Sequence, residues 1–546
     1  MLKDSLITPS ELEMRPIDLF RRIRTEFTEC AILESLDKTA DTSRYTIVGI
    51  KPMLSLKELN GQCHLYNFDT GENSQVNWQS VLPLFTSVQG HHTAPQLGAI
   101  GYIGYEKNRD FEQVKCSVKS TTSIPDSYLV RYRLMYWWDH QSRRGFWVHD
   151  KQTSPTDIEQ LSKKIESVAD LPDKNFSILG DIESDFTEQE YLHAVEKTLK
   201  HIRQGDIFQA NITTRYSGAF KGDPLTLYLQ LREHTPNPFF AYLDFDYPVI
   251  STSPERFFRV REGIIDTYPI KGTRKVEPDF QCVTEAKEAL ESSEKDRAEN
   301  TMIVDLMRND LSRICEKGSV DVTGLCIAKR FNHLIHLESR IAGKLRPNAD
   351  VYQILKALFP AGSITGAPKI KAMEIIDEIE PYPRKVYCGS IGFFGAEGYI
   401  DTSVAIRTLY FDDSNLYFHS GGGIVIDSSP QDELKELRDK VQSISSVLNQ
   451  NNILKPLRLQ LDGLDRQLME VIALRMDVVK KVGVIKEKYQ IPLMQNDRVN
   501  SMKLERQQLS EKLGLPYEFT DKLFDLLIET AMKLEGELET EKTISQ

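Results

Sequence analysis

No stretch of the 546 residues approaches the about 18 consecutive apolar side chains that a membrane-crossing helix needs. The opening residues, MLKDSLITPSELEMRP, hold no apolar core of signal-peptide length. Cysteine is scarce: there are seven, an odd number, spread from Cys30 to Cys388 without a C-x-x-C pair. That argues against a disulfide framework and a zinc ribbon, and for a reducing compartment. Clustered positive charge is missing too. With 68 Lys+Arg against 80 Asp+Glu and a net charge of −12, a nucleic-acid backbone is not the expected partner, because cations dominate such binding. Repeats and low-complexity tracts are absent. What is present, 40% hydrophobic and 27% charged residues, is the composition of a globular chain. The expectation is a cytosolic protein without a membrane or nucleic-acid partner, with three or four domains or one large domain and a small one.

Short apolar runs such as Tyr45–Ile50 and Tyr128–Trp138 read as strands within a mixed region from about Ile17 to Tyr136. Gly98, Gly101 and Gly104 in GAIGYIGYE fall every third residue, as glycines do where backbones approach closely. Lys151–Asp185 reads as a connector with one helix. Glu188 to about Gln204 reads as a helix ended by Gly205. A last helix is announced by Ser429, Pro430 and Asp432, an N-cap, a first-turn proline and a capping acid. Its apolar stripe is Leu434, Leu437, Val441, Ile444 and Leu448. Asn449–Asn452 reads as a polar interdomain linker. Beyond it come three helices, at about Leu457–Tyr489, Asp497–Leu513 and Thr520–Leu538, broken by Pro492 and Gly514–Pro516. Three helices in so short a segment can hardly bury a core alone, so dimerisation is expected.

Several residues can carry chemistry. Asp296 with Glu299, and Glu433 with Glu436, are i,i+3 acid pairs, each presenting two carboxylates to one side of a helix. Such pairs are either solvated faces or hard-oxygen ligands for Mg²⁺. Lys271 in PIKGTRK sits between an apolar strand (Ile264, Ile265, Tyr268, Ile270) and Gly272. A lysine there is a surface residue at a strand end, or a nucleophile freed of its proton by desolvation. Glu255 in STSPERF lies near Phe257 and is a candidate general acid. The runs Gly362–Lys369, which includes Ser363, and Gly421–Val425 offer backbone N–H groups to carboxylates.

Taken in order, GDIFQAN, SPERF, PIKGTRK, KDRAENTMIVDLMRNDL, FPAGSITGAPK, YCGSIGFF, AIRTL and GGGIVIDS resemble the chorismate-utilising enzymes from about Ile17 to Leu448. Within that family the chain looks most like component I of aminodeoxychorismate synthase. Lys271 is the discriminating residue, since anthranilate synthases typically carry a small one there. Gln209 stands where isochorismate and salicylate synthases place a water-activating lysine. The resemblance implies Mg²⁺ held by Glu299 and Glu436, assisted by Asp296 and Glu433, on the ring carboxylate of chorismate. It implies that Glu255 protonates the departing 4-hydroxyl while Lys271 attacks C2, and that ammonia then enters at C4 and expels the lysine. His336 would lie near the ring carboxylate. Tyr387, Arg407 and the backbone at Gly421, Gly422 and Gly423 would hold the enolpyruvyl carboxylate, with Gln209 and Ser363 completing the substrate contacts. No cysteine has the G-x-C-x-G context of a glutaminase, so a separate glutamine amidotransferase subunit is the expected ammonia source.

The tail has its own signature. Leu464, Leu468, Arg475, Val479, Val482 and Lys486 fall on one narrow helical stripe, and cations on an aliphatic stripe want an anionic partner. The segment resembles the all-helical chorismate mutases, which adds Arg458 from a neighbouring protomer and Arg498. It departs from their pattern where the usual acid is Gln495, a glutamate is Val499, a serine is Ala531, and the glutamine facing the ether oxygen is Glu535. The resemblance therefore implies a mutase acting on 4-amino-4-deoxychorismate or on chorismate.

The expected architecture is an α+β fold with large antiparallel sheets packed face to face, followed by an all-α three-helix mutase-type dimer. Residues 1–150 and 186–449 would form one chorismate-binding fold, and 454–540 the helical domain. The alternatives are anthranilate synthase component I with an ordinary chorismate mutase, or a tail that only dimerises or senses a ligand.

Overall fold

The computed structural model describes residues 5–12, 14–36, 44–90, 94–112, 114, 122–168, 174–234, 237–275, 280–331, 334–452, 454–492 and 496–543. The chain divides into two compact units, 1–453 and 454–546.

Antiparallel pairing builds the first unit, and its ladders run between distant parts of the chain. Tyr45–Leu59 pairs with Ser127–Asp139 along nearly its whole length, from Tyr45 opposite Asp139 to Glu58 opposite Ser127. Cys30–Glu34 pairs with Phe239–Asp244, and Gly98–Ile103 with Ser390–Gly395. Strands from residues 1–150 are thus laced into the sheet made by residues 186–449. Close approach explains the glycine row: a Cβ on Gly101 would collide with the Tyr128 carbonyl, and one on Gly104 with the Asp126 carbonyl. Large apolar side chains, among them Trp137, Tyr102, Phe393 and Tyr128, fill the main core.

Helices form where their signals stand. Thr187 and Glu190 make a reciprocal capping box on Glu188–Gln204, and Gly205 ends it at φ 81°. Ser429 accepts from the Asp432 N–H at the start of Pro430–Gln450. The stretch read as a linker behaves differently. The helix runs on to Gln450, and Asn451 and Asn452 donate from their side chains to Gln230 Oε1 at 2.8 Å and the Gly180 carbonyl at 2.6 Å. Polar residues here fasten the first unit, because their amides meet acceptors that sequence spacing cannot reveal.

The second unit is three helices, Lys455–Lys488, Asn496–Leu513 and Tyr517–Thr543. The stripe on the long helix is not buried within it: Leu464 is 53% exposed and Leu468 51%. No helix among the described residues is long and apolar enough to cross a membrane.

Candidate active site

Lys271 lies within the strand Ile270–Lys275, not at a strand end as its sequence context suggested. The register against Leu334–Lys344 shifts between Lys271 and Thr273, so Gly272, at φ 69°, is the extra residue of a bulge. A Cβ on Gly272 would press on Asp296 Oδ1 at 3.0 Å, which places the start of the helix Glu294–Ser312 directly over the bulge. The bulge turns the lysine inward: Nζ donates to the Ser363 carbonyl at 3.2 Å. The hydroxyl of the same serine donates to Glu255 Oε1 at 2.6 Å. One residue of the turn Gly362–Ile364 therefore touches both the amine and the carboxyl.

Their electrostatics run in opposite directions. Burial pushes the Glu255 carboxyl up to about 7, against the pull of Ser363 and Lys271. Burial pushes the Lys271 ammonium below its ordinary value, opposed by Glu299 and Glu255. Both shifts run toward the neutral forms, a protonated acid beside an uncharged amine, the states needed to give a proton to a leaving group and an electron pair to carbon. Replacing Glu255 by Gln is expected to remove most turnover by the first unit, on the order of 10² to 10⁴-fold. Because the folded-state pKa is raised, the wild-type carboxyl's favourable contribution is complete below about 4.5, its ordinary value, and is lost as pH rises through about 7. Glu255→Gln should therefore unfold at a higher temperature than wild type at pH 8 and lose that advantage at pH 4. Calorimetry at the two pH values checks this, and an unchanged difference would refute the buried-acid assignment.

The remaining groups gather around this pair. Gln209 opens the strand Gln209–Gly222 opposite Ala367. Its side chain lies against Gly423, where any Cβ would collide with Nε2 and come within 3.4 Å of Lys271 Nζ. Gln209 Oε1 is buried with no hydrogen-bond partner among the described residues. Gly421, Gly422 and Gly423, whose N–H groups the sequence offered to carboxylates, are ladder residues. They belong to the strand Asn415–Ile424, paired with Thr213, Ile212 and Asn211. On the other edge, pairing with Thr408–Phe411 reaches only Phe418, so beyond it alternate N–H groups are spared by the ladder.

Two helices bring the acids. Glu299 and Asp296 come from Glu294–Ser312, and Glu433 and Glu436 from Pro430–Gln450. Burial raises the Glu299 carboxyl; Lys271 and Lys295 oppose the rise, and Asp296 and Glu436 add to it. Glu433 is raised by burial and accepts from the Ser428 hydroxyl at 2.6 Å. At Glu436 the upward push of burial is outweighed by Lys440, leaving its carboxyl low. Among the described residues no three His, Cys, Asp or Glu side chains converge as a ready-made metal centre. Mutually repelling carboxylates from two helices can still take a divalent ion that keeps its other positions for water and substrate.

His336 faces Gly272 and Arg407. Burial and Arg407 hold its imidazole down at about 3, hence neutral. Arg407, at φ 50°, is fixed by Thr252, whose N–H and hydroxyl both donate to its carbonyl at 3.0 and 3.1 Å. Tyr387 stacks on His419, ring centroids 4.9 Å apart. His419 shares a strand face with Gly421 and Gly423. Lys440 escaped sequence reading. Its Nζ reaches the Gly421 carbonyl at 2.9 Å and Glu436 at 2.7 Å, and its i,i+4 spacing from Glu436 was the available signal. A cavity of about 200 Å³ is lined by Ser35, Arg44, Phe239, Arg256 and Arg259, and none of the site residues above lines it.

In the second unit Arg475 donates to the Leu527 carbonyl at 3.2 Å. Lys486 is half-buried, and Arg458 and Arg498 are exposed. Gln495 lies outside the described residues, and Glu535 belongs to the last helix.

A lysine, an acid, acid-bearing helices and a glycine strand on an antiparallel scaffold define a class, and comparison gives it a family. Residues 28–446 match the chorismate binding enzymes, and the chain belongs to that family. Residues 457–536 match chorismate mutase type II. The protein is thus a chorismate-utilising synthase of the anthranilate and aminodeoxychorismate synthase group, fused to a chorismate mutase domain. It is 38% identical to aminodeoxychorismate synthase component 1 of Escherichia coli over 65% of this chain and 77% of that one. It is 32% identical to anthranilate synthase component 1 of Cereibacter sphaeroides over 79% and 91%. The crystal structure of anthranilate synthase component I from Streptococcus pneumoniae superposes with a TM-score of 0.67 at 31% identity, covering 74% of this chain and 93% of that one. The menaquinone-specific isochorismate synthase of Escherichia coli, at 17% identity and TM-score 0.62 over 82% and 94%, shares the fold.

Proposed function

We propose that the first unit converts chorismate and ammonia to 4-amino-4-deoxychorismate. The carrying observation is the Lys271–Ser363–Glu255 arrangement, a lysine amine one serine away from a raised carboxyl. In this reading Lys271 attacks C2 of the ring as the Glu255 proton leaves with the 4-hydroxyl. Ammonia then bonds to C4, the lysine departs from C2, and pyruvate is retained. An amine at Lys271 is what this route requires and what direct amination at C2, the route to anthranilate, does without. The Gly421–Gly423 edge and Arg407 receive the enolpyruvyl carboxylate, with Tyr387 behind them. His336, uncharged, lines the ring-carboxylate side.

Glu299 and Glu436, with Asp296 and Glu433 beside them, fit Mg²⁺. Carboxylates offered by two helices, with few other protein donors, match its preference for waters and a substrate oxygen. A bound Mg²⁺ would neutralise and orient the ring carboxylate. Lys440, paired with Glu436, would move off that carboxylate when the ion binds. Ammonia comes from a separate glutamine amidotransferase subunit, a reading supported by the lack of a glutaminase-type cysteine and by relatives named component 1. A cytoplasmic location agrees with the cysteine usage.

For the tail we read a homodimer that rearranges 4-amino-4-deoxychorismate in preference to chorismate. The support is the exposed stripe at Leu464 and Leu468, which a second copy would cover. Val499 supports the preference, since it cannot accept from a ring hydroxyl; a buried unpaired hydroxyl costs about 1–3 kcal/mol. Incubation of the full chain with chorismate, Mg²⁺ and ammonium, read by mass, should give 4-amino-4-deoxychorismate and its rearranged prephenate analogue. Anthranilate with pyruvate would overturn the synthase reading. A higher kcat/KM for chorismate in direct competition would overturn the preference of the tail.

A further inference from the structure

Behind the site lies a buried ion pair that the mechanism above does not use. Arg384 is 1% exposed and Glu380 6%. Arg384 Nε and Nη2 form a two-pronged bond to Glu380, at 2.8 and 2.7 Å. Nη1 donates to the Ile364 carbonyl at 3.0 Å and Nη2 to the Asn211 carbonyl at 2.6 Å. Glu380 Oε1 also accepts from the N–H and hydroxyl of Thr213, at 2.8 and 3.0 Å. The backbone that carries the pair is held as well: Glu106, itself buried, accepts from the N–H groups of Arg384 and Lys385 at 2.9 and 2.8 Å.

The partners are not scattered. Ile364 follows Ser363 in the turn that touches both Lys271 and Glu255. Asn211 and Thr213 lie on the strand begun by Gln209, opposite Gly423 and Gly421. One guanidinium therefore links the serine turn to the strand under the glycine edge. Burying such a pair is costly, and apolar residues of equal volume often serve stability as well. A fork of fixed geometry gives what apolar packing cannot, several backbone carbonyls held at set positions.

We propose that Glu380–Arg384 is a positioning pair that holds Ser363 where it meets both Lys271 and Glu255. The proposal rests on the assignment of those two residues to the amination. A displaced turn leaves ligand-binding groups on the glycine edge in place but separates the acid and amine from their shared partner. Misplacement by about 1 Å costs on the order of 10²-fold in rate. Losing the Ser363 bond would also let the Glu255 carboxyl rise further, so the fall in activity at high pH should come at higher pH.

The test is a double-mutant cycle in the full chain with Arg384→Lys and Ser363→Ala, read as ammonium-dependent chorismate consumption. Lysine keeps the charge pair but cannot hold both carbonyls. Arg384→Lys is expected to lower kcat by about 10- to 100-fold, to leave chorismate affinity within about twofold, and to displace the alkaline limb upward. In the Ser363→Ala background the same change should cost clearly less and leave the alkaline limb where it is, since only the carbonyl bond to Lys271 remains to be displaced. Additive losses, or a lower folded fraction with an unchanged pH profile, would overturn the proposal. If Arg384→Lys does not accumulate, Glu380→Gln closes the same cycle. Mutase turnover by the same preparations reports that the chain is intact. Anthranilate from the wild-type protein would refute the amination reading alone, because the cycle still measures whether Arg384 acts through Ser363.

Discussion

Lys271→Ala should abolish formation of 4-amino-4-deoxychorismate, by on the order of 10³-fold or more, while chorismate still binds. Three observations lead there. The amine reaches the site only because Gly272 makes a bulge and Nζ rests on the Ser363 carbonyl. Burial depresses its proton affinity despite the attraction of Glu299 and Glu255, which favours the free electron pair an attacking amine needs. A methyl group can neither form nor leave from a bond at C2, and the two-step route has no substitute for that bond. The measurement is product by mass at low ammonium, with chorismate affinity by calorimetry. Turnover equal to wild type would remove Lys271 from the reaction. Loss of chorismate binding in parallel with turnover would make it a binding residue.

The second large effect concerns the acids. Glu299→Gln and Glu436→Gln should each weaken divalent-ion binding and Mg²⁺-dependent amination by about 100-fold or more, since each replaces an anionic oxygen by a neutral one. Glu436 is the more exacting position. Lys440 holds its carboxyl below the ordinary range against the push of burial, so it is ionised and ready at lower pH than Glu299, which burial raises. Binding of Mn²⁺ followed by electron paramagnetic resonance reads the ion directly. Mutase turnover should survive both changes, because the helical tail is a separate compact unit whose cations need no metal. A chelator that removed both activities equally would contradict the division of labour.

How far the sequence could be read depended on the range of the interaction. Ser429 and Pro430, or Thr187 with Glu190, act across one helical turn, and both helices start where those residues stand. The row Gly98, Gly101, Gly104 was legible as close backbone approach, though not which carbonyls approach. Gly272 was misplaced because a bulge is defined by the opposite strand, some 65 residues away at His336, and nothing local announces it. The glycines at 421–423 stood out as a source of backbone N–H groups, but their place in a strand was not legible, because it depends on pairing with the distant Asn211–Thr213. Lys271, Glu255, Glu299 and Glu436 stood out by type and by family resemblance, whereas the meeting of Lys271 and Glu255 at Ser363 is a three-dimensional fact. Arg384 gave little sign, since it lies in irregular chain five residues beyond the helix Lys369–Ile379, where an arginine is ordinarily a solvated one.

The lacing of early strands into late ones has a consequence for how the chain comes into being. Gly98–Ile103 pairs on one edge with Ser127–Asp139, but its other edge is met only by Ser390–Gly395, nearly three hundred residues on. At about 5–20 residues per second of synthesis, the first strand waits on the order of tens of seconds with an edge and an apolar face uncovered. Pairings of such long sequence separation are slow to form even in the finished chain. The ribosome-bound intermediate is therefore the most aggregation-exposed state of this protein. The helical tail is made after every strand of the first unit, so its own exposed stripe appears only once those partners exist.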